Sequence, residues 1–221
     1  MDAQSWNERY AAADLVWSTG PNAFVEELLT PVVAAHPEGS ALDVAAGEGR
    51  NAIWLAQQGW SVTATDYASV AVERMRRRAA EVLGEDAARL TAVVADATRP
   101  PPGATQGYDV ALLSYLQLPA PEMGLALRAA LAAVRPGGHL LLVGHAARNL
   151  EEGWGGPSDP AVLHDPEDVL GLLRDGVQPG SDRGEDAAAF EVVESGIRVR
   201  RAETADGPRE ALDTVVLLTR A

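Results

Sequence analysis

Short apolar runs alternate with longer segments of helical periodicity along most of the chain. Apolar runs of strand length occupy residues 40–45, 60–65, 90–95, 108–115 and 139–145. Helical spacing follows the first, second and fourth runs, over residues 50–58, around Val72, Met75 and Ala79, and over residues 121–134. This alternation predicts a parallel sheet with helices on both of its faces.

The end of the chain departs from this pattern. Residues 190–201 and 211–220 are alternating runs joined by a turn that contains Asp206-Gly207-Pro208. Strands so close in sequence must pair antiparallel, because a parallel pair needs a long crossover. The sheet should therefore have seven strands, one of them inverted.

Two helical segments precede the first strand, at residues 6–13 and 21–36. Pro31 should kink or break the second of them, because proline cannot donate a helical hydrogen bond. A length of 221 residues agrees with one domain. We therefore expect a single α/β domain over residues 1–221, with an N-terminal helical lid at 1–37 and a Rossmann-like core at 38–221.

Composition removes several kinds of chemistry. The chain has no cysteine, which excludes disulfides, thiolate metal sites and thiol nucleophiles. All 18 basic residues are arginine, and the absence of lysine excludes Schiff-base chemistry and the lysine-containing phosphate loop. The four histidines have no metal-ligand spacing, so we expect no metal site: His36, His139, His145 and His164.

The charge argues against nucleic acid as a partner, since the net charge is −14 and the pI is near 4.6. The one basic run, Arg74, Arg76, Arg77 and Arg78, is interpreted as a solvated helix face. No apolar run is long enough to span a membrane, and the start of the chain lacks a signal-peptide pattern. We therefore expect no membrane contact and a cytoplasmic location, and the Ala, Gly and Arg bias indicates a bacterial source.

The first candidate site is the segment ALDVAAGEGRNA at residues 41–52. A strand containing Asp43 ends, Gly47 and Gly49 allow a tight turn, and a helix starts at once. Glycines let a ligand approach the main chain, and the amide groups at a helix start face anionic groups. The spacing Gly47-x-Gly49-x-x-Ala52 also fits the nicotinamide-dinucleotide fingerprint, and a plain strand-to-helix turn is a further alternative.

Three further strand ends carry polar side chains. Asp66 closes the second strand, where a carboxylate can accept both hydroxyls of an adenosine ribose. Asp96 closes the third, at the right place to meet the adenine amino group, and Ser114 and Tyr115 close the fourth. The carboxyl ends of parallel strands form the crevice where open sheets bind ligands. For each acid alone, helix capping or solvation is an equal alternative.

Together these segments resemble the class I S-adenosylmethionine-dependent methyltransferases. LDVAAGEG is similar to their first motif, TATDY to the acidic motif, VVADAT to the adenine-side motif and VRPGGHLLLVGH to the turn into the fifth strand. The resemblance implies S-adenosylmethionine as cofactor, S-adenosylhomocysteine as product, and a pocket containing Asp43, Ala45, Gly47, Gly49, Arg50, Asp66, Tyr67, Asp96, Ala97 and Ser114. Ala45 stands where the family usually has glycine, so we expect binding with a slightly shifted backbone.

Two shorter segments, WNERY near the start and GRN after the glycine turn, resemble the tellurite-resistance and thiopurine-type branch, which acts on small molecules. In that branch the N-terminal segment folds over the cofactor. The resemblance implies that Arg9 pairs with the cofactor carboxylate and that Trp6, Tyr10 or Trp17 wall the pocket. The alternative is that Trp6 and Tyr10 only anchor an amphipathic helix.

Methyl transfer depends on placing the acceptor and needs no protein nucleophile. The candidates for acceptor contact follow the fourth and fifth strands: Tyr115, His145, Arg148, Asn149 and Trp154. His145 and Tyr115 are the catalytic candidates, since an imidazole can take an acceptor proton near neutral pH. His145 capping a strand end, and Arg148 pairing with Glu151 or Glu152, are the alternatives.

We therefore expect methyl transfer from S-adenosylmethionine to a small-molecule acceptor, by a monomer or a homodimer. A nicotinamide-dependent oxidoreductase and a non-catalytic cofactor-binding protein of the same fold are the alternatives.

Overall fold

The computed structural model describes residues 3–12, 20–99, 107–175, 189–204 and 207–221. Within them, seven strands form one sheet: β1 (Ser40–Val44), β2 (Ser61–Asp66), β3 (Leu90–Val94), β4 (Tyr108–Ser114), β5 (Val134–His145), β6 (Phe190–Thr204) and β7 (Gly207–Arg220). Their order across the sheet is β3-β2-β1-β4-β5-β7-β6. Strands β1 to β5 pair in parallel, whereas β7 is antiparallel to both β5 and β6. The predicted sheet with one inverted strand is confirmed.

Helices cover both faces of the sheet, as predicted. The described α-helices are α1 (Ala3–Ala12), α2 (Ala23–Ala35), α3 (Arg50–Gln57), α4 (Ser69–Leu83), α5 (Ala120–Ala133), α6 (Asn149–Glu152) and α7 (Pro166–Arg174). Two short 3₁₀ helices occupy Gly84–Arg89 and Pro160–Val162. Helices α2, α3 and α4 pack on one face, and α5 and α7 pack on the other. No helix among the described residues is both long and apolar enough to cross a bilayer.

The two faces are built from alternate residues of the same strands. In β4, Val110 and Leu112 join the core under α3, whereas Ala111 and Leu113 join the core under α5. Successive side chains of a strand point to opposite faces, so a strand covered on both sides must be apolar throughout. This explains why the central strands appear in the sequence as unbroken apolar runs.

Helix α2 continues through Pro31, so of the predicted kink or break the break does not occur. Val25 and Leu29 are fully buried and hold the helix against the sheet. Pro31 is exposed, so the carbonyl group that loses its helical partner there can bond to water. Asn22 caps the helix by accepting the N–H groups of Phe24 and Val25.

The basic run on α4 is more than a solvated face. Arg74 Nη1 lies 3.0 Å from Oε1 of Glu48, which is 1% exposed. Arg78 Nη1 donates to the Glu48 carbonyl at 3.2 Å, and Arg76 Nη2 donates to the Ala92 carbonyl at 2.6 Å. These arginines fasten α4 to the glycine turn and to β3.

Helix α1 packs on the start of α4. Tyr10 is 3% exposed and belongs to a buried cluster with Ala68 and Ala71, and its ring centroid lies 5.7 Å from that of Trp6. Asn7 Oδ1 accepts the Val70 N–H at 3.0 Å, which satisfies a free amide in the first turn of α4. The N-terminal helix is therefore fixed beside the carboxyl ends of the strands.

Candidate functional site

A cavity opens beside α1 at the carboxyl ends of β1, β2, β3 and β4. Its empty space is about 870 Å³, including the open mouth. Ten of the predicted cofactor residues line it: Trp6, Tyr10, Ala45, Gly47, Arg50, Asp66, Tyr67, Asp96, Ala97 and Ser114. Asp43 and Gly49 do not line it. The Arg9 side chain and the whole of Trp17 lie outside the described residues.

The two glycines of the turn after β1 have different roles. Gly47 has a φ of 58° and lines the cavity. Gly49 has a φ of 81°, and a Cβ there would lie 2.4 Å from Met75 Cγ, so close packing on α4 requires glycine. Only Gly47 is at the cavity as predicted.

Ala45 has a φ of 55°, in the left-handed region. This conformation costs a residue with a Cβ about 1–2 kcal/mol. The chain thus keeps a backbone that glycine would favour, and the alanine carries the strain. The Ala46 N–H that follows donates to the Thr65 carbonyl at 2.8 Å and holds the turn against β2.

Asp66 ties the glycine turn to the start of α4. Its Oδ2 accepts the Gly47 N–H and its Oδ1 accepts the Ala68 N–H, both at 2.9 Å. Burial raises the pKa of Asp66, and these backbone hydrogen bonds oppose that effect. A carboxylate has about four lone-pair sites, so Asp66 can still accept hydrogen bonds from a ligand.

Asp96 lies at the rim of the same cavity and is exposed. Its Oδ1 accepts the Thr98 N–H at 2.9 Å and the Thr98 hydroxyl at 2.8 Å. These hydrogen bonds lower the pKa of Asp96. The rim therefore presents a charged carboxylate at neutral pH.

Asp43 is fully buried in β1. Burial raises the pKa of its carboxyl group to about 7, and the charge of Arg50 opposes this shift. Burial, foremost, lowers the pKa of Arg50, which remains a cation because the ordinary value of arginine is above 12. At neutral pH, Asp43 is therefore poised between its neutral and its charged form.

Asp213, on β7, is fully buried and organises a polar cluster beside Arg50. Its Oδ2 accepts the Tyr115 hydroxyl at 2.5 Å and Arg200 Nε at 2.6 Å, and its Oδ1 lies 3.2 Å from His145 Nδ1. Burial acts to raise the pKa of Asp213, but the interactions with His145, Arg200 and Tyr115 outweigh it and lower the pKa.. Asp213 is therefore the anion that holds the cluster together.

Tyr115 connects this cluster to the cavity, which it also lines. Its φ is 57°, an uncommon conformation for a large side chain and one that is often found at functional sites. Its hydroxyl accepts Asn22 Nδ2 at 3.0 Å and donates to Asp213. Burial, and then the Asp213 charge, raise the pKa of Tyr115, so the hydroxyl stays protonated.

Three side chains surround the Tyr115 ring. The His145 ring centroid lies 4.8 Å from it, and the guanidinium groups of Arg50 and Arg200 lie 5.7 and 5.6 Å away. Cations at this distance from an aromatic ring are attracted by its quadrupole. Two arginines and one histidine therefore share one end of the candidate site.

Sequence reasoning missed Asp213, Arg200 and Asn22. The first two lie on the terminal hairpin, far along the chain from Tyr115, so no local spacing connects them. One signal was available, because Asp213 is the only charged residue in the run ALDTVVLL, which is apolar apart from Asp213 and Thr214. A charge in a buried strand must be paired, which makes it a candidate for a functional cluster.

Two of the five acceptor candidates line a cavity. A smaller cavity, with about 360 Å³ of empty space including its mouth, shares Tyr115, Leu116 and Gln117 with the first, and His145 lines it. The other candidates, Arg148, Asn149 and Trp154, line neither.

Each of these three has another environment. Arg148 is exposed and donates two hydrogen bonds to Glu152, which is the alternative that the sequence left open. Asn149 is 4% exposed and fastens the segment GWGG at residues 153–156 to β7, since it accepts the Leu212 N–H and donates to the Gly155 carbonyl. Trp154 is 47% exposed.

Comparison with known proteins agrees with this geometry. Residues 41–138 match the methyltransferase domain family. A comparison with curated protein sequences found no significant match.

Solved structures share the fold over the whole chain. The N-methyltransferase NodS from Bradyrhizobium japonicum, in complex with S-adenosylhomocysteine, is 16% identical over 100% of this chain and 99% of that one, with a TM-score of 0.67. Magnesium protoporphyrin IX methyltransferase ChlM from Synechocystis, with bound S-adenosylmethionine, is 17% identical over 100% and 98%, with a TM-score of 0.65. TehB from Haemophilus influenzae is 14% identical over 92% and 64%, with a TM-score of 0.66.

The fold is the Rossmann-like methyltransferase fold. The matches support the resemblance to class I methyltransferases and S-adenosylmethionine as the cofactor. They do not separate the tellurite-resistance and thiopurine-type branch from others, since NodS and ChlM are as similar to this chain as TehB is.

Proposed function

We propose that this protein transfers the methyl group of S-adenosylmethionine to a small-molecule acceptor. The proposal rests on one observation: the cavity at the carboxyl ends of β1 to β4 is built largely from the segment that matches the methyltransferase domain family. The inverted strand β7 also favours this function over the nicotinamide-dependent alternative.

The lining residues fit this cofactor. Asp66 has spare lone pairs for the two ribose hydroxyls, and Asp96 is placed for the adenine amino group. Ser114 Oγ is buried, and no described residue bonds to it, so a bound ligand can satisfy it. Trp6 and Tyr10 supply an aromatic wall, and Arg50 a cation for the cofactor carboxylate, a role that Arg9 would share.

When bound, S-adenosylmethionine supplies an activated methyl group, so this chain has only to place the acceptor and exclude water. Tyr115 lines both cavities and His145 lines the smaller one, and we place the acceptor beside these two side chains. His145 Nδ1 lies 3.2 Å from Asp213 Oδ1, so we assign the proton of the imidazole to Nδ1 and the acceptance of the acceptor's proton to Nε2. Tyr115 remains protonated and positions Asp213.

Calorimetric titration tests the cofactor. S-adenosylhomocysteine should bind, and NAD(H) should not. Transfer of labelled methyl groups to a panel of thiols, carboxylates and natural-product hydroxyls then tests the reaction. Tight NAD(H) binding with no response to S-adenosylhomocysteine would contradict the proposal, and cofactor binding without transfer to any acceptor would favour a non-catalytic protein.

The same assay tests the acceptor side. The change His145→Gln should lower kcat by about 10²-fold or more, the usual contribution of a general base, and leave S-adenosylhomocysteine affinity unchanged. Arg148→Ala is the matched control, since Arg148 lines neither cavity, and it should leave turnover unchanged. Equal effects of the two changes on kcat would show that His145 does not act as the general base.

A further inference from the structure

In the part of the chain that the structure describes, β6 forms the outer edge of the sheet, and its neighbouring strand is β7. This strand is 15 residues long, and Val192, Val193 and Val199 on it are 43%, 58% and 53% exposed. An edge strand presents main-chain donors and acceptors to any strand that can lie beside it. We propose that β6 pairs antiparallel with β6 of a second copy of this chain, about a two-fold axis at Gly196.

Gly196 has no role within the described chain that requires glycine. Its φ lies outside the left-handed region, and a Cβ built on it would have nothing within 4 Å. Glycine also weakens a strand interior, where it often marks the close approach of another backbone. A second β6 strand passing Gly196 accounts for the residue.

The charges around Gly196 are self-complementary. With the axis at this residue, Glu194 lies opposite Arg198 of the second copy, and Arg198 lies opposite the second Glu194. Both side chains belong to the sheet face covered by α2, since they are in register with Leu217 and Asp213 on β7 and Arg198 contacts Glu27 of α2. Opposite charges directly across two strands stabilise the pair.

A β-bulge in β6 allows the same pairing of opposite charges to continue beyond Glu194. The pairing of β6 with β7 shifts between Val192 and Glu194, so β6 contains one extra residue there. Val192 and Val193 together then lie opposite Val199 of the second copy, and Glu191 lies opposite Arg200. The exposed valines cover one another, and a second acid meets a base on the face of α2.

A two-fold axis at Gly196 pairs more opposite charges than an axis at either neighbouring residue. An axis at Ser195 brings only Glu191 and Arg198 together, and an axis at Ile197 brings only Glu194 and Arg200 together. The same charges can instead protect a solvated edge, because Arg198 already contacts Glu27 and lies 3.6 Å from Glu194 within the chain. Exchanging the charges of Glu194 and Arg198 by mutation distinguishes pairing with a second copy from protection of a solvated edge.

Sedimentation equilibrium of the full chain measures the association. Glu194→Arg and Arg198→Glu should each weaken the dimer at least about tenfold, because each change turns two attractive pairs into two repulsive ones. The double exchange should restore association, and Glu81→Arg, on the exposed face of α4, should leave it unchanged. A monomeric wild-type chain, or a dimer that the single exchanges do not weaken, would overturn the proposal.

Cross-linking tests the position of the axis without relying on charge. The chain has no cysteine, so Gly196→Cys introduces the only thiol, and its Cβ has open space. Mild oxidation should convert this variant to a disulfide-linked dimer, whereas Thr91→Cys, an exposed position on the opposite edge strand β3, should not react comparably. Equal cross-linking at the two positions would contradict an axis at Gly196. Neither result depends on methyl transfer.

Discussion

Asp66 shows how a single side chain can serve both folding and binding. It is 6% exposed, and its two oxygens accept the N–H groups of Gly47 and Ala68. A position at a strand end alone indicates a residue that can be removed at little cost to stability. The two hydrogen bonds change that expectation, because a buried N–H that loses its acceptor keeps the cost of its desolvation.

Replacing Asp66 by alanine should therefore have two effects. S-adenosylhomocysteine affinity should fall at least about tenfold, or 1.4 kcal/mol, because the ribose loses its acceptor. The free energy of unfolding should fall by about 1–3 kcal/mol, because Gly47 and Ala68 lose theirs. Calorimetry and urea unfolding measure the two, and Asp96→Ala, at the exposed rim, should lower affinity without lowering stability. Unchanged affinity in a folded Asp66→Ala protein would place the ribose elsewhere.

At the scale of elements, α1 and α4 act as one unit beside the cavity. Tyr10 and Trp6 from α1 line the cavity and also pack on the first turn of α4. The residue just before that turn, Ala68, donates its N–H to Asp66. The N-terminal helix is therefore both an anchored amphipathic helix and a wall of the cavity, so the two interpretations of Trp6 and Tyr10 do not exclude each other.

Removal of the Tyr10 ring should loosen this unit. Tyr10→Ala should weaken S-adenosylhomocysteine binding by about tenfold, since it removes both a wall of the cavity and the contact that holds α1 in place. Gln4→Ala is the matched control on the exposed side of the same helix and should leave affinity unchanged. Hydrogen exchange shows whether α1 has detached; detachment with unchanged affinity would exclude α1 from the cofactor site.

At the scale of the whole molecule, Asp43 links protonation to folding. The pKa of its carboxyl group rises from 3.8 to about 7 because it is buried. A group with a higher pKa in the folded than in the unfolded chain favours folding when it is protonated. Its contribution is therefore complete below about pH 4 and is lost as the pH rises to about 7.

The change Asp43→Asn should remove this pH-dependent contribution to stability. Between pH 5 and pH 7, the unfolding free energy of the wild type should fall relative to that of the variant by about 1.4 kcal/mol per pH unit, and the difference should level off above pH 7. Urea unfolding at several pH values measures it. A difference that stays constant with pH would show that Asp43 is charged throughout.

The number of strands, the one inverted strand and the position of the cavity were predictable from the sequence. Apolar runs of strand length and helical spacing are local patterns, and βαβ order with a closing hairpin leaves few arrangements of the sheet. Once the strands are parallel, their carboxyl ends meet at one edge, so Ala45, Asp66, Asp96 and Ser114 had to come together. The sequence therefore determined the fold and the side of the sheet where the cavity lies.

Only the tertiary structure decided which polar groups meet in the cluster around Tyr115 and Asp213. Tyr115 and Asp213 are 98 residues apart and touch because β4, β5 and β7 are adjacent in the sheet. The structure likewise placed Arg148 with Glu152 at the surface and Arg200 with Asp213 in the cluster. Local patterns reflect periodicity and burial, whereas the partner of a buried charge depends on distances across the sheet, which folding alone defines.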